Sequence, residues 1–176
     1  MHSAAFRGNA LLTYAGSALA ILALLASFTD LLHNETPVLD VRLAKVERLH
    51  AQESGNDEAL LVFSLAADFS TSFSWNTKLL FVWLSAEYVT PLNKLNQVAL
   101  WDRIIEARED AVFSLPFVRT KYKLVDQGHN LRGLRANLTL SWNVMPTVGL
   151  LKTGSRTFPL LLPPVYSTSR RGKMMQ

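Results

Sequence analysis

Ser141, His129 and Asp126 are of the right types for a nucleophile, a base and an orienting carboxylate. Such a triad works only when the three groups are held together, with the serine in a recognisable nucleophile turn. No serine here has that surrounding pattern, and Asp126-Gln127-Gly128-His129-Asn130 also reads as an ordinary polar turn. No catalytic residue is expected. The four histidines, at 2, 33, 50 and 129, share no ligand spacing, and cysteine is absent. That excludes thiolate metal sites, disulfides and cysteine nucleophiles. No glycine-rich phosphate loop occurs, so neither a metal nor a cofactor is expected.

One modification motif remains. Asn137-Leu138-Thr139 is an N-glycosylation sequon. It lies in a run of strict alternation: Ala136, Leu138, Leu140, Trp142 and Val144 face one way, and Asn137, Thr139, Ser141 and Asn143 the other. Period-two alternation predicts a half-buried strand, with Asn137 on its polar face and Trp142 in the core. A second sequon, Asn34-Glu35-Thr36, stands close to an apolar stretch and ahead of Pro37, and is expected to be empty.

Residues 11–28 carry no charge, and as a helix they rise about 27 Å, close to the thickness of an endoplasmic reticulum bilayer. Arg7 precedes this stretch; Asp30 and Glu35 follow it, and no Lys or Arg occurs until Arg42. The positive-inside bias then puts the N-terminus in the cytosol and the rest of the chain across the membrane. A cleaved signal peptide is the rival reading. Its best small-x-small site, Ala18-Leu19-Ala20, falls inside the apolar run instead of after it, which favours a retained anchor. Gly16, Ala20, Ala23 and Ser27 form one small-residue face on which a partner helix could pack.

Beyond residue 40, alternation is commoner than helical periodicity. Leu61, Phe63, Leu65, Ala67 and Phe69 form a stripe like that of 136–144, and 79–88 is apolar on both faces, as in a central strand. Strands are also predicted at 39–49, 97–105 and 117–125, with short ones near 148–151 and 157–162 and a possible short helix at 104–112. Turn signals at 53–57, 127–130 and 132–133 separate them. The predicted fold is mainly β: a single N-terminal transmembrane helix, then an antiparallel β-sandwich. The expected division is a cytosolic 1–10, an anchor at 11–32, a lumenal domain at 33–165 and a disordered tail at 166–176. The net charge of +4 is scattered, without a basic patch, so nucleic acid is not an expected partner. Most of Trp75, Trp83, Trp101 and Trp142 should be core, with one or two left to anchor a partner.

Longer strings carry a resemblance. Phe73-Ser74-Trp75-Asn76-Thr77-Lys78-Leu79-Leu80-Phe81 leads to Ser85-Ala86-Glu87-Tyr88, then Leu95-Asn96-Gln97-Val98-Ala99-Leu100-Trp101-Asp102-Arg103-Ile104, Lys121-Tyr122 and the stretch from Asn137 to Pro146. In this order and spacing the chain resembles subunit 3 of the eukaryotic signal peptidase complex, over the anchor and nearly all of 38–152. The resemblance implies an accessory, non-catalytic subunit in the endoplasmic reticulum membrane. Its partners would be the catalytic and other membrane subunits and the lipid bilayer, and its glycan would be on Asn137. It also implies contacts to the catalytic subunit, for which 79–88 and 95–103 are the candidate surfaces. Residues 106–117 and the end after Pro164 match the family less well. Without the resemblance, the same residues would describe a lumenal or secreted β-sandwich binding module.

Overall fold

The computed structural model describes residues 3–168. It consists of α1 (Ala4–Leu31), β1 (Val38–Ala51), β2 (Asp57–Asp68), β3 (Thr77–Tyr88), β4 (Asn96–Ile105), β5 (Val112–Arg119), β6 (Leu124–Val125), β7 (Arg135–Pro146), β8 (Lys152–Leu161) and β9 (Ser167–Thr168). α1 starts earlier than the uncharged run, at a Ser3 cap whose Oγ accepts from the Phe6 amide at 3.3 Å. It is 28 residues long and so spans about 42 Å. None of its most apolar stretch is buried inside the protein.

The strands form two antiparallel sheets. One runs β5-β2-β1-β9, with β6 also on β2; the other runs β4-β3-β7-β8. The predicted stripes meet between them. Leu61, Phe63, Leu65 and Phe69 have no exposed surface, nor do Leu80, Val82, Leu84, Leu138 and Leu140. β3 lies between β4 and β7; its inward Leu80, Val82 and Leu84 are fully buried, while Phe81 and Trp83 on its outward face stay half-buried. Trp142 is buried, its indole edge-on to Phe69 at 5.6 Å. Its register partner is Gly154, where an added Cβ would stand 2.3 Å from the ring. Only the absence of a side chain there lets the indole lie across β8.

Three predicted elements shift. The strand expected at 117–125 is β5, and it begins before Pro116. Pro116 and Phe117 fall where the β2–β5 register skips between Phe63 and Leu65, and β5 is an edge strand, so the missing proline N–H breaks no ladder. The possible helix at 104–112 is the end of β4 followed by one 3₁₀ turn, Arg108–Ala111. Residues 148–151 are a loop, and the strand after it runs unbroken from Lys152 to Leu161, tolerating Pro159 because β8 is also an edge. The first residues of the expected disordered tail, 166–168, are held in place. Tyr166 bonds to Asp57, and Ser167–Thr168 pairs with Arg48 and Leu49 of β1; residues 169–176 lie outside the described residues.

Alternating strand directions give the sandwich two ends. Residues 33–38, 68–77, 105–112 and 146–152 gather where α1 enters. The turns at 52–56, 89–95 and 126–134 gather at the far end.

Candidate functional site: the junction of helix and sandwich

The helix is not a free tether. Asp30, in its last turn, is buried, and its Oδ1 accepts from Ser74 Oγ at 2.9 Å. Lys152, at the start of β8, donates to the Asp30 carbonyl at 2.6 Å and lies 3.4 Å from Asp30 Oδ2 and 3.7 Å from Glu35. The last turn of α1 contains no basic residue of its own. A helix C-terminus carries unpaired carbonyls and partial negative charge, which a cation relieves. Here that cation comes from a strand 122 positions later in the sequence. The connecting segment is held as well: the His33 ring nitrogen Nε2 is 2.7 Å from the Thr71 carbonyl, and the Thr36 amide donates to Thr71 Oγ1 at 3.2 Å.

Two loops form the floor of the junction, and Asn76 joins them. Its Nδ2 donates to the Val148 carbonyl at 2.7 Å, its Oδ1 accepts from the Val148 amide at 3.2 Å, and its carbonyl accepts from the Thr147 amide at 2.7 Å. Gly149 then takes φ +122°, and a Cβ there would stand 2.8 Å from Ser27 Oγ of α1. Both the left-handed backbone and the close approach to the helix require glycine. A bulkier residue would push the loop off α1.

The far end is closed by carboxylates. Asp57 has no exposed surface and accepts from Tyr166 Oη at 2.7 Å and the Leu131 amide at 3.1 Å, with His129 Nδ1 at 3.2 Å. Asp126 accepts from Tyr88 Oη at 3.0 Å and Asn130 Nδ2 at 2.6 Å. Burial and the neighbouring Asp126 carboxylate push the Tyr88 hydroxyl well above its ordinary pKa of 10.0. Although burial opposes it, hydrogen bonds from Gln52 and Lys123 hold Glu58 below the ordinary carboxylate range.

These placements separate the residues of the imagined triad. His129 pairs with Asp57, Asp126 with Tyr88 and Asn130, and Ser141 lies in β7 opposite Trp83 and Ser155. No hydrogen bond among the described residues joins Ser141 to His129. Asn137 is exposed on the outer face of β7, between Glu87 and Pro159 and towards the far end of the sandwich. It borders an open depression of about 600 Å³. Asn34 is exposed just past the end of α1. On the same sheet, Phe81 and Trp83 stack at 5.4 Å and stay half-buried, while Ala99 and Ile104 of β4 are exposed. Trp101 is core and Trp75 is 74% exposed.

Sequence reasoning missed the junction set of Asp30, Ser74, Asn76, Gly149 and Lys152. The signals were an acid ending an uncharged run and a Val-Gly-Leu-Leu loop followed by lysine. Nothing local ties one to the other.

The architecture defines a class: a β-sandwich in hydrogen-bonded and ionic contact with the end of a helix long and apolar enough to cross a membrane. Comparison with known proteins gives the family. The family model described as "Signal peptidase subunit" matches residues 1–163. "Signal peptidase complex subunit 3" of Drosophila melanogaster is 38% identical, covering 96% of this chain and 99% of that protein. The protein of the same name from Gallus gallus is 36% identical over 97% and 99%. "Adipocyte-related X-chromosome expressed sequence 1" of Mus musculus is 37% identical over 94% and 97%. The chain belongs to the signal peptidase subunit family.

Proposed function

We propose that the chain is an accessory subunit of the signal peptidase complex, anchored by α1 in the endoplasmic reticulum membrane. The observation that carries this reading is the family match from residue 1 to residue 163, anchor and sandwich together. The N-terminus is cytosolic and the sandwich lumenal, which the placement of Arg7 before the uncharged run supports. The chain itself is not catalytic. It serves as a support: a sandwich fixed to α1 by Asp30, Lys152 and Gly149 holds a neighbouring catalytic subunit at constant height and angle over the bilayer. Catalytic geometry is sensitive to such support, since a misplacement of about 1 Å can cost roughly a hundredfold in rate. The stacked Phe81–Trp83 pair with Ala99 and Ile104 is the surface best suited to that neighbour. Asn137 carries the glycan, on the outer face of β7 towards the end of the sandwich away from α1.

The full-length chain, isolated from microsomes, should bring down the peptidase subunits. Its C-terminal domain should resist protease until detergent is added. Complexes with Ser141→Ala or His129→Ala should cleave signal peptides at the wild-type rate. A large loss in either variant, with assembly unchanged, would overturn the non-catalytic reading. Endoglycosidase should shift the wild-type chain on a gel and leave Asn137→Gln unshifted.

A further inference from the structure

We propose that the loop 147–151 and Trp75 form an apolar rim that sits in the lipid leaflet beside the end of α1, so that the sandwich rests on the membrane surface. The proposal rests on α1 crossing the bilayer and holds whichever side the sandwich is on.

Depth is the first argument. Gly149 lies against Ser27, about one helical turn before the end of α1, so the loop stands level with the boundary of the uncharged run. The side chains of α1 at that level point outward and are apolar: Phe28 and Leu31 are each more than half exposed. A leaflet that surrounds them reaches the loop as well.

Chemistry is the second. Thr147-Val148-Gly149-Leu150-Leu151 carries no charge, and Leu150 and Leu151 are 68% and 50% exposed. Trp75 borders a depression shared with Thr29, Asp30, Leu32 and His33 at the end of α1, which puts it just beyond the level of Ser27, on the headgroup side of the loop. Tryptophan favours the headgroup region, where its ring is apolar and its N–H stays wet. In water such a patch is a liability; against acyl chains it is not.

Charge is the third. The carboxylates beside the rim, Asp30 and Glu35, are largely buried and share Lys152 at 3.4 and 3.7 Å, so neither presents a free charge to lipid. Rigidity follows from Asn76, which fixes loop 74–76 to loop 147–148 as one unit. Lipid is the favoured occupant because the rim is continuous with the lipid-facing surface of α1.

The chain has no native cysteine, so a single introduced one takes a unique label. Full-length Leu150→Cys, Leu19→Cys and Ser54→Cys, each carrying an environment-sensitive fluorophore, are reconstituted in phosphatidylcholine vesicles. The vesicles contain lipids bearing a nitroxide high or low on the acyl chain. The label at position 150 should be quenched several-fold more by the shallow nitroxide than by the deep one. Position 19, in mid-helix, should show the reverse, and position 54, at the far turn, should be quenched only by aqueous iodide. Position 150 behaving like 54, with 19 still deep, would overturn the rim and leave the anchor intact. Shielding of 150 from iodide without quenching by either lipid would mean that protein covers it, and would overturn lipid as the occupant. An aqueous signal at 19 would overturn both the anchor and the rim.

Discussion

The two ends of the sandwich are closed by opposite means. Towards α1, aromatic rings fill the space: Phe69 packs on Trp142 at 5.6 Å and on Phe113 at 6.5 Å, and Arg103 covers Phe113 at 4.5 Å. At the far end, buried carboxylates gather backbone amides, tyrosines and an asparagine. Both ends hold buried aspartates, Asp30 at one and Asp57 and Asp126 at the other, and they are satisfied differently. Asp30 faces the ammonium of Lys152, whereas Asp57 takes a tyrosine hydroxyl and a backbone amide alongside His129. Apolar closure is non-directional and tolerates adjustment; polar closure fixes which groups meet. The junction needs charge because the helix C-terminus brings negative potential with it. The far end needs direction, because a chain segment from beyond residue 165 has to dock in one place.

The largest effect should come from the aromatic end. Trp142→Ala should destabilise the sandwich by about 3–5 kcal/mol, read from thermal unfolding of the detergent-solubilised chain, as large aromatic truncations in a core do. A loss of a few tenths of a kcal/mol would mean that the aromatic end does not carry the packing assigned to it. Asp57→Asn should cost about 1–3 kcal/mol, since buried donors lose a charged acceptor. Its signature should be local: faster amide exchange at 126–134 and 166–168, with the rings near Trp142 unchanged. Uniform loss of protection would erase the distinction between the two ends.

Lys152→Met removes only the cation at the junction, at a cost of up to about 2 kcal/mol in a partly buried setting. Distances between spin labels on α1 and the sandwich should broaden while the sandwich keeps its unfolding temperature. An unchanged distance distribution would show that Gly149 and Ser74 suffice. The smallest effect concerns pH. Tyr88 has a raised folded pKa, so its stabilisation is complete below its unfolded value of 10.0 and is lost as pH rises through the higher folded value. Tyr88→Phe should flatten this alkaline decline, and a decline of unchanged slope would assign it to other groups.

Much of the interior was legible because sheet geometry imposes a period of two. The stripes at 61–69 and 136–144 by themselves place Phe63, Leu65, Leu140 and Trp142 in the core. β5 begins at Val112, ahead of the strand expected at 117–125, and only its edge position makes Pro116 harmless within it. The junction was not legible at all. Asp30 looked like a flank of the anchor and Lys152 like an ordinary basic residue, and no pattern relates positions so far apart.

By itself the sequence determined the uncharged helix, the alternation that makes a sandwich, the sequon at Asn137 and the absence of cysteine, all of which depend on neighbours a few residues away. Only the tertiary structure decided that His129 belongs to Asp57, that Tyr166 ties down the segment after β8, and that Lys152 and Gly149 fix α1 to the sandwich. Those contacts are set by strand register and by the return of distant segments to the same end. A charge or a missing Cβ acquires its meaning from what the fold places within about 3–4 Å of it.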